Sequence, residues 1–235
     1  MYEFDSSLVG RCNVIVESFE ENDWAIMRNM KAQGSEWIIL ATEYVTGDTF
    51  NHFPELVGAQ QYEDRAHWKE RFERFVQCAE YCRAIWLAMD TPEQLEAYRA
   101  IVPPHVPVLP LPVPFCPKLY DAVKPMAKDI DVLFTGTTTP HRMAILSALT
   151  PHARVFGTRY MPEYLRREFV ARSFINLSLR QSPGWPYPSL LRFWYLLNQG
   201  ALVVGERCPV PCGLDPYVVQ ADTSVLPTEI GRAHV

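Results

Sequence analysis

The sequence predicts an α/β protein built from two Rossmann-like, parallel-sheet domains. Short runs rich in Val, Ile and Leu alternate with amphipathic helical stretches, this alternation occurs in both halves of the 235-residue chain, and a proline-rich segment separates the halves. Apolar strands that alternate with helices favour right-handed βαβ crossovers and parallel sheets covered on both faces.

The first half contains three strand signals and three helix signals. The predicted strands are 13–18, 37–43 and 84–90, and the predicted helices are 22–34, 62–83 and 91–101. Asn22 or Asp23 is the expected N-cap of the first helix, and Gly34 ends it. Thr91 before Pro92 is a typical start for the third helix. These elements define a predicted N-terminal, acceptor-side domain over residues 1–105.

A change of composition marks the domain boundary. Residues 103–125 contain eight prolines, which remove backbone donors and stiffen the chain, so we predict a linker over 106–128 with a short edge strand at 106–111. The second domain, 129–228, then has predicted strands at 129–136, 153–157, 173–179 and 201–206 and helices at 141–150, 162–172 and 187–199.

The last residues, EIGRAHV at 229–235, resemble the translated end of an environmental gene fragment. We therefore expect a non-native tail, a gene that continued past Thr228 and an incomplete second domain. A genuine polar tail is the alternative.

Composition excludes several function classes. The net charge of −5 and the absence of a basic run argue against nucleic acid as the main partner. Six cysteines are too sparse for a disulfide scaffold. The N-terminus lacks the features of a signal peptide, and no apolar stretch reaches the ~18 residues of a transmembrane helix. A cytoplasmic protein without a transmembrane segment is expected.

Three stretches of the second half carry a family resemblance. DIDVLFTGTTTPHRMAILSAL, SFINLSLR and YPSLLRFWYLLNQGALVVGE, within 129–206, resemble the nucleotide-sugar-binding domain of GT-B-fold glycosyltransferases, and most closely bacterial glycosyltransferase-like proteins. The first half is similar only in overall architecture. The resemblance implies two domains that face a cleft. It also implies a nucleotide-diphosphate sugar as substrate, no resident cofactor, and an unknown glycan, lipid or protein acceptor.

The polar turn after the strand at 129–136 is the first candidate for donor binding. It lies at a carboxyl end of the predicted sheet and leads into a helix N-terminus, where free N–H groups favour a diphosphate. Gly136 allows close backbone approach, Thr137 and Thr138 supply hydroxyls, and Arg142 supplies charge. The alternative is that the threonines merely cap the helix and that Arg142 is a solvated surface residue.

The helix predicted at 187–199 and the strand after it supply the other donor-site candidates. Ser189 stands near the helix start, beside Tyr187, where its hydroxyl could cap the helix or meet a phosphate. Arg192 stands among apolar residues and needs a partner if buried. Glu206 ends a strand, where the resemblance implies a carboxylate for the ribose hydroxyls. The alternatives are Glu206 or Asp131 as the partner of Arg192, and a solvated Glu206.

Glu17 and Glu43 are the leading candidates for the catalytic base. An inverting transfer needs one group to take the proton of the acceptor hydroxyl, and both glutamates follow predicted strands at carboxyl ends. Asp48, Asn51 and His52 lie on a nearby polar loop. Each of these residues alone is more often a capping or solvated residue.

The chain departs from the pattern of many retaining members of this group. Those enzymes carry two glutamates with seven residues between them, and the corresponding positions here hold Tyr187 and Tyr195. No metal is predicted, because the C-x3-C pairs at 78–82 and 208–212 fit a zinc site less well than other roles. We therefore predict a metal-independent glycosyltransferase. A non-catalytic sugar-nucleotide-binding protein and a Rossmann-like enzyme of another reaction type are the alternatives.

Overall fold

A computed structural model of the protein describes residues 6–53, 64–89, 91–111, 113–121, 126–158, 161–226, 228 and 230. The chain divides into two compact units, with the boundary between Pro112 and Val113. Each unit contains a parallel sheet whose strands are joined through helices. The predicted α/β class with Rossmann-like parallel sheets is confirmed.

The first unit is built on a four-stranded sheet. Its strands are β1 (Cys12–Val16), β2 (Glu36–Ala41), β5 (Ala84–Leu87) and β6 (Val108–Pro110), in the order β1-β2-β5-β6, and every pair is parallel. The helices are α1 (Asp23–Ala32), α2 (Arg65–Ala79) and α3 (Pro92–Ile101). A two-stranded antiparallel hairpin, β3 (Val45–Thr46) with β4 (Thr49–Phe50), follows β2.

Local sequence signals explain where these helices begin and end. The Thr91 hydroxyl accepts a hydrogen bond from the backbone N–H of Gln94, which satisfies one of the free donors in the first turn of α3. Asn22 is the N-cap of α1 but makes no side-chain capping bond. Gly34 has φ +88°, a conformation that ends α1 at no steric cost because glycine has no Cβ.

An aromatic core beneath this sheet supports the loop after β2. The Phe75 ring makes edge contacts with Phe50 and with Tyr98, each at 5.5 Å between ring centroids. The Tyr98 hydroxyl, which is fully buried, donates to the backbone carbonyl of Glu43 at 2.7 Å. The position of Glu43 is therefore fixed through its main chain.

The second unit is built on a five-stranded parallel sheet. Its strands are β7 (Ile130–Thr135), β8 (Val155–Thr158), β9 (Ser173–Ser178), β10 (Val203–Glu206) and β11 (Val219–Ala221), in the order β11-β10-β9-β7-β8. The helices are α4 (Pro117–Asp121), α5 (Pro140–Leu149), α6 (Glu163–Arg172) and α7 (Leu190–Leu197). The order of the strands reverses between β7 and β9, so the loops after these two strands diverge at a topological switch point.

Both faces of the second sheet are covered. Val132 and Phe134 pack with Ile145 and Leu149 of α5 on one side. On the other side, Leu133 belongs to a cluster with residues of α6 and α7 (Val170, Phe193 and Leu196). This layering holds the first turns of the helices at the carboxyl ends of the strands. The described residues include no helix that is both long and apolar enough to cross a membrane.

Several predicted boundaries differ from the structure. α7 begins at Leu190 rather than at residue 187, because a residue before a proline, such as Tyr187 before Pro188, is disfavoured in the helical conformation. Within the predicted linker, β6 pairs with β5, and α4 begins at Pro117, where the missing proline N–H is harmless. Ile230, in the predicted tail, is buried in the core beside α5.

Removing a helix cap should weaken the first unit measurably. Thr91→Ala deletes the acceptor for the Gln94 N–H and is expected to cost about 1 kcal/mol of unfolding free energy. Asn22→Ala is the matched control, since Asn22 makes no side-chain capping bond, and we expect a smaller loss. Urea denaturation followed by circular dichroism measures both, and equal losses would contradict the capping role of Thr91.

Candidate functional site

A cavity of about 420 Å³ opens at the carboxyl ends of β7 and β8 in the second unit. Its polar lining consists of Thr135, Thr158, Arg166, Arg192 and Tyr195, and its apolar lining of Met161, Leu191, Trp194 and Leu196. Gly136 completes the wall at the end of β7. Two guanidinium groups in one concave site between strand ends and helices are suited to an anionic ligand.

Gly136 and Arg192, both predicted donor-site residues, lie against each other in this wall. Gly136 has φ +148°, and a Cβ placed there would stand 2.8 Å from Nη2 of Arg192. The Arg192 guanidinium also lies over the Phe134 ring, 5.8 Å from its centroid. The absence of a side chain at Gly136 therefore makes room for the arginine at the end of β7.

Arg166 is the second cation of the cavity. Its Nη2 donates to the Met161 carbonyl at 3.3 Å, and its Nη1 lies 3.7 Å from a Glu163 carboxylate oxygen. The guanidinium carbon is 5.7 Å from the centroid of the Tyr195 ring. The side chain is 40% exposed, so an incoming anion can reach this charge.

Glu206 is the centre of a buried polar network at the carboxyl end of β10. Its side chain has no exposed surface, and it accepts hydrogen bonds from His141 Nε2 at 2.9 Å, Arg180 Nη2 at 2.8 Å and Thr223 Oγ1 at 2.6 Å. The Arg180 backbone N–H donates to the second oxygen. Burial alone would raise the pKa of Glu206, but these donors outweigh it and lower the pKa to about 2.

The position of Glu206 at a carboxyl strand end agrees with the sequence interpretation, whereas its contacts differ from the predicted role. Both carboxylate oxygens are occupied by protein donors from the loops after β9 and β11 and from α5. A carboxylate held in this way is a scaffold for its neighbours. We therefore no longer assign to it the predicted contact with ribose hydroxyls.

Arg142 also has a different environment from the predicted one. Its guanidinium is 3% exposed and donates to the carbonyls of Thr137, Leu179 and Arg180. These carbonyls follow β7 and β9, so Arg142 ties together the two loops of the switch point. Neither predicted alternative, a phosphate contact or a solvated surface residue, describes this position.

The remaining predicted donor-site residues lie around the cavity rather than in its described lining. Thr137 contributes a carbonyl to Arg142, and Thr138 is exposed. Tyr187 is buried before α7, and Ser189 is the exposed N-cap of α7 without a side-chain capping bond. Thr139 caps α5 through the Arg142 N–H and donates to the Gln181 carbonyl.

In the first unit, Glu17 lies at the end of β1, as predicted. Its carboxyl is 2% exposed and lies within hydrogen-bonding distance of the Thr42 N–H, at 2.6 Å, and of the Thr42 hydroxyl, at 2.5 Å. Burial, and then the nearby charge of Glu43, raise the pKa of Glu17 to about 8. Glu17 thus keeps its proton at neutral pH, which does not suit the predicted role of base.

Glu43 is held in place by two side chains. Arg71 forms an ion pair with it at 3.0 Å, and the Asn51 amide donates to its other oxygen at 2.6 Å. The main-chain carbonyl of Glu17 accepts a further bond from Arg71, so the two glutamates share one arginine. On the same loop, Asp48 pairs with Arg65 and Lys69, and the backbone N–H of His52 donates to Thr46.

The cysteines are free thiols in this structure. Burial is the largest cause of the shifted cysteine pKa values. It raises the pKa of Cys78 above its ordinary range, and it raises the pKa of Cys82 and of Cys208 to about 12. Within the described residues, no group of three or more His, Cys, Asp and Glu side chains is arranged to hold a metal ion.

Sequence reasoning missed Arg166 and Thr158 in the cavity and His141, Arg180 and Thr223 around Glu206. His141 and Arg180 both carried a signal, because each follows a strand at its carboxyl end. Arg166 gave none, since it belongs to a helix rich in charged residues.

Comparison with known proteins adds no family assignment. No protein-family model matches the chain, and no curated protein matches it in a sequence search.

Filling the space at Gly136 should disturb the cavity wall. Gly136→Ala places a methyl group against Arg192 at a φ that disfavours a side chain, and we expect a loss of about 1–3 kcal/mol. Gly157→Ala is the matched control on the neighbouring strand, where an added Cβ meets no atom within 4 Å. Denaturation of both variants tests this, and a neutral Gly136→Ala would contradict the close contact.

The buried carboxyl of Glu17 should make the first unit less stable as the pH rises. The folded state binds this proton more tightly than the unfolded chain, so stability falls between about pH 4.5 and 8, by up to about 1.4 kcal/mol per pH unit. Glu17→Gln should remove this slope, while the exposed Glu21→Gln control keeps it. Urea denaturation at several pH values measures the slopes, and identical slopes for wild type and Glu17→Gln would refute the assignment.

Proposed function

We propose that this protein is a metal-independent glycosyltransferase that moves a sugar from a nucleotide-diphosphate donor to an acceptor hydroxyl. One observation carries the proposal: the cavity at the ends of β7 and β8 contains two arginines, Arg166 and Arg192, close to hydroxyl groups of Thr135, Thr158 and Tyr195. This combination suits a diphosphate, whose charge grows when the bond to the sugar breaks.

The strand order supports this location. Ligands of open parallel sheets bind outside the carboxyl ends of the strands, near the switch point, and the cavity lies at the carboxyl end of β7, one of the two strands that flank the switch point. The assigned roles follow from the contacts. Arg192 and Arg166 bind the diphosphate, Gly136 makes room for Arg192, and Arg142 positions the loops after β7 and β9.

The proposal includes a GT-B arrangement in which the first unit binds the acceptor. The acceptor itself, whether glycan, lipid or protein, is defined here only by its hydroxyl group. A cytoplasmic location is also part of the proposal, and the free thiols of the six cysteines support it because disulfides are rare in reducing compartments.

A sugar-nucleotide-binding protein without catalytic activity is the second candidate. The observation that favours it lies in the first unit, where Glu17 holds a proton at neutral pH and Glu43 is paired with Arg71. Neither glutamate then provides a free base. A binding protein would respond to the nucleotide in a thermal-shift assay but would not turn over a nucleotide sugar.

A thermal-shift screen with UDP, GDP, CDP, ADP and TDP tests donor binding. At about 100 times its dissociation constant, a ligand stabilises the folded protein by about 2.7 kcal/mol, and we expect one nucleotide to raise the melting temperature by several degrees. Arg192→Ala should abolish the shift and Arg166→Ala should reduce it, because each removes a cation from the cavity.

Arg154→Ala is the control, since this arginine is 75% exposed and pairs with Asp131 at the opposite end of the sheet. It should bind the nucleotide as wild type does. If none of the five nucleotides shifts a folded wild-type sample, the nucleotide-sugar proposal is refuted.

A further inference from the structure

The His141–Glu206 pair has no role in the proposed donor site. Nε2 of His141 lies 2.9 and 3.0 Å from the two oxygens of the Glu206 carboxylate. The pKa of Glu206 is lowered to about 2, so this group is ionised at neutral pH and can only accept hydrogen bonds. Nε2 must therefore carry a hydrogen, and in the neutral imidazole the free lone pair belongs to Nδ1.

The surroundings of the pair hold this orientation. Arg180 donates to both oxygens of Glu206, through its backbone N–H and its guanidinium, and Thr223 donates to one of them. These contacts come from the loops after β9 and β11, so the carboxylate cannot turn away from the ring. A histidine whose tautomer is fixed by a buried carboxylate is the arrangement used by acid–base catalysts.

Nδ1 of His141 keeps access to solvent. The side chain is 11% exposed, and across the described residues every hydrogen bond of the ring is made by Nε2. Among the described residues, the polar side-chain atoms that are both buried and without a hydrogen-bond partner do not include His141 Nδ1. The lone pair thus points to a place that a hydroxyl group can reach.

Several charged or titratable groups of the described residues lie near the ring. Glu206 and Arg180 face it directly, Cys208 lies against the Glu206 carbonyl, and Asp222 beyond Thr223 pairs with Arg207. Burial is the first cause that raises the pKa of Cys208 to about 12, so this thiol does not titrate near neutral pH.

We propose that His141 is the catalytic base of the second unit, with Nδ1 as the proton-accepting atom and Glu206 as its positioning residue. The proposal rests on the proposed function, because the proton comes from the acceptor hydroxyl. The hydroxyl oxygen forms a bond to the anomeric carbon, the bond from that carbon to the diphosphate breaks, and its electron pair leaves with the diphosphate. The proton moves to Nδ1, and Glu206 stabilises the resulting imidazolium.

This assignment resolves the difficulty with the first unit. Glu17 is protonated and Glu43 is paired, whereas His141 lies in the first turn of α5, which follows β7 and Gly136. The base and the diphosphate site then belong to the same compact unit.

The tautomer can be tested without any donor. Long-range ¹H–¹⁵N spectra of the ¹⁵N-labelled protein report which ring nitrogen carries the hydrogen, and the His141 signals are identified by their loss in His141→Gln. We expect the Nε2–H form at a pH where the ring is neutral, and a mixture of tautomers in Glu206→Gln. A predominant Nδ1–H form in the wild type would overturn the proposal.

Turnover tests the role itself. UDP-glucose, GDP-mannose, CDP-glucose, ADP-glucose and TDP-glucose serve as donors, with water or an added alcohol as acceptor. His141→Gln should keep the thermal shift with the nucleotide but lose about 10²- to 10⁴-fold in turnover and the rise of rate with pH. His152→Gln, at an exposed histidine, is the control and should resemble wild type.

Unchanged turnover and an unchanged pH profile in folded His141→Gln would overturn the base assignment while leaving donor binding intact. His141→Asn serves as a second variant if the glutamine variant melts early. The absence of any thermal shift in the wild type would instead refute the proposed function, and the tautomer spectra would still decide which nitrogen of His141 is the basic atom.

Discussion

The hydrogen bonds to the Glu206 carboxylate are the interactions on which the carboxyl edge of the second sheet depends. It lies at the end of β10, between β9 and β11, and receives donors from the loops after both neighbours and from the first turn of α5. An ionised carboxylate without these donors would cost several kcal/mol to bury. The donors offset that cost, and the folded state favours the ionised form accordingly.

Arg142 and Arg192, two arginines near the end of β7, differ in what they contact. Arg142 and Arg192 both lie over the Phe134 ring, at 5.4 and 5.8 Å from its centroid, but they face different surroundings. Arg142 is buried and directs its hydrogens to main-chain carbonyls of the switch point, whereas Arg192 lines the open cavity. One arginine therefore holds the two loops together, and the other forms part of the cavity wall. Their separation depends on Gly136, which leaves the space that Arg192 occupies.

Much of the fold could be predicted because it follows from local signals. Apolar runs, helical periodicity and caps such as Thr91 act within a few residues, and they located most strands and helices to within a few positions. The hairpin of β3 with β4 was missed because each strand has two residues and shows no periodicity. The residues of the site were predicted less well. Gly136 and Arg192 were predicted and line the cavity, but the contacts of Arg142 and Glu206, such as those with Arg180, depend on which strands become neighbours in the sheet.

Glu17 and Glu206 show why position alone does not determine chemistry. Both lie at the carboxyl end of a strand of a parallel sheet, and both are almost completely buried. Glu17 meets the backbone N–H and hydroxyl of Thr42 and the negative charge of Glu43, so the uncharged form is favoured. Glu206 meets an arginine, an imidazole and a hydroxyl, so the charged form is favoured. At neutral pH, Glu17 in the first unit is therefore protonated. Glu206 in the second unit is ionised and orients the His141 ring. In the second unit the Glu206 carboxylate accepts from Nε2 of His141, and the role proposed for Nδ1 depends on that contact.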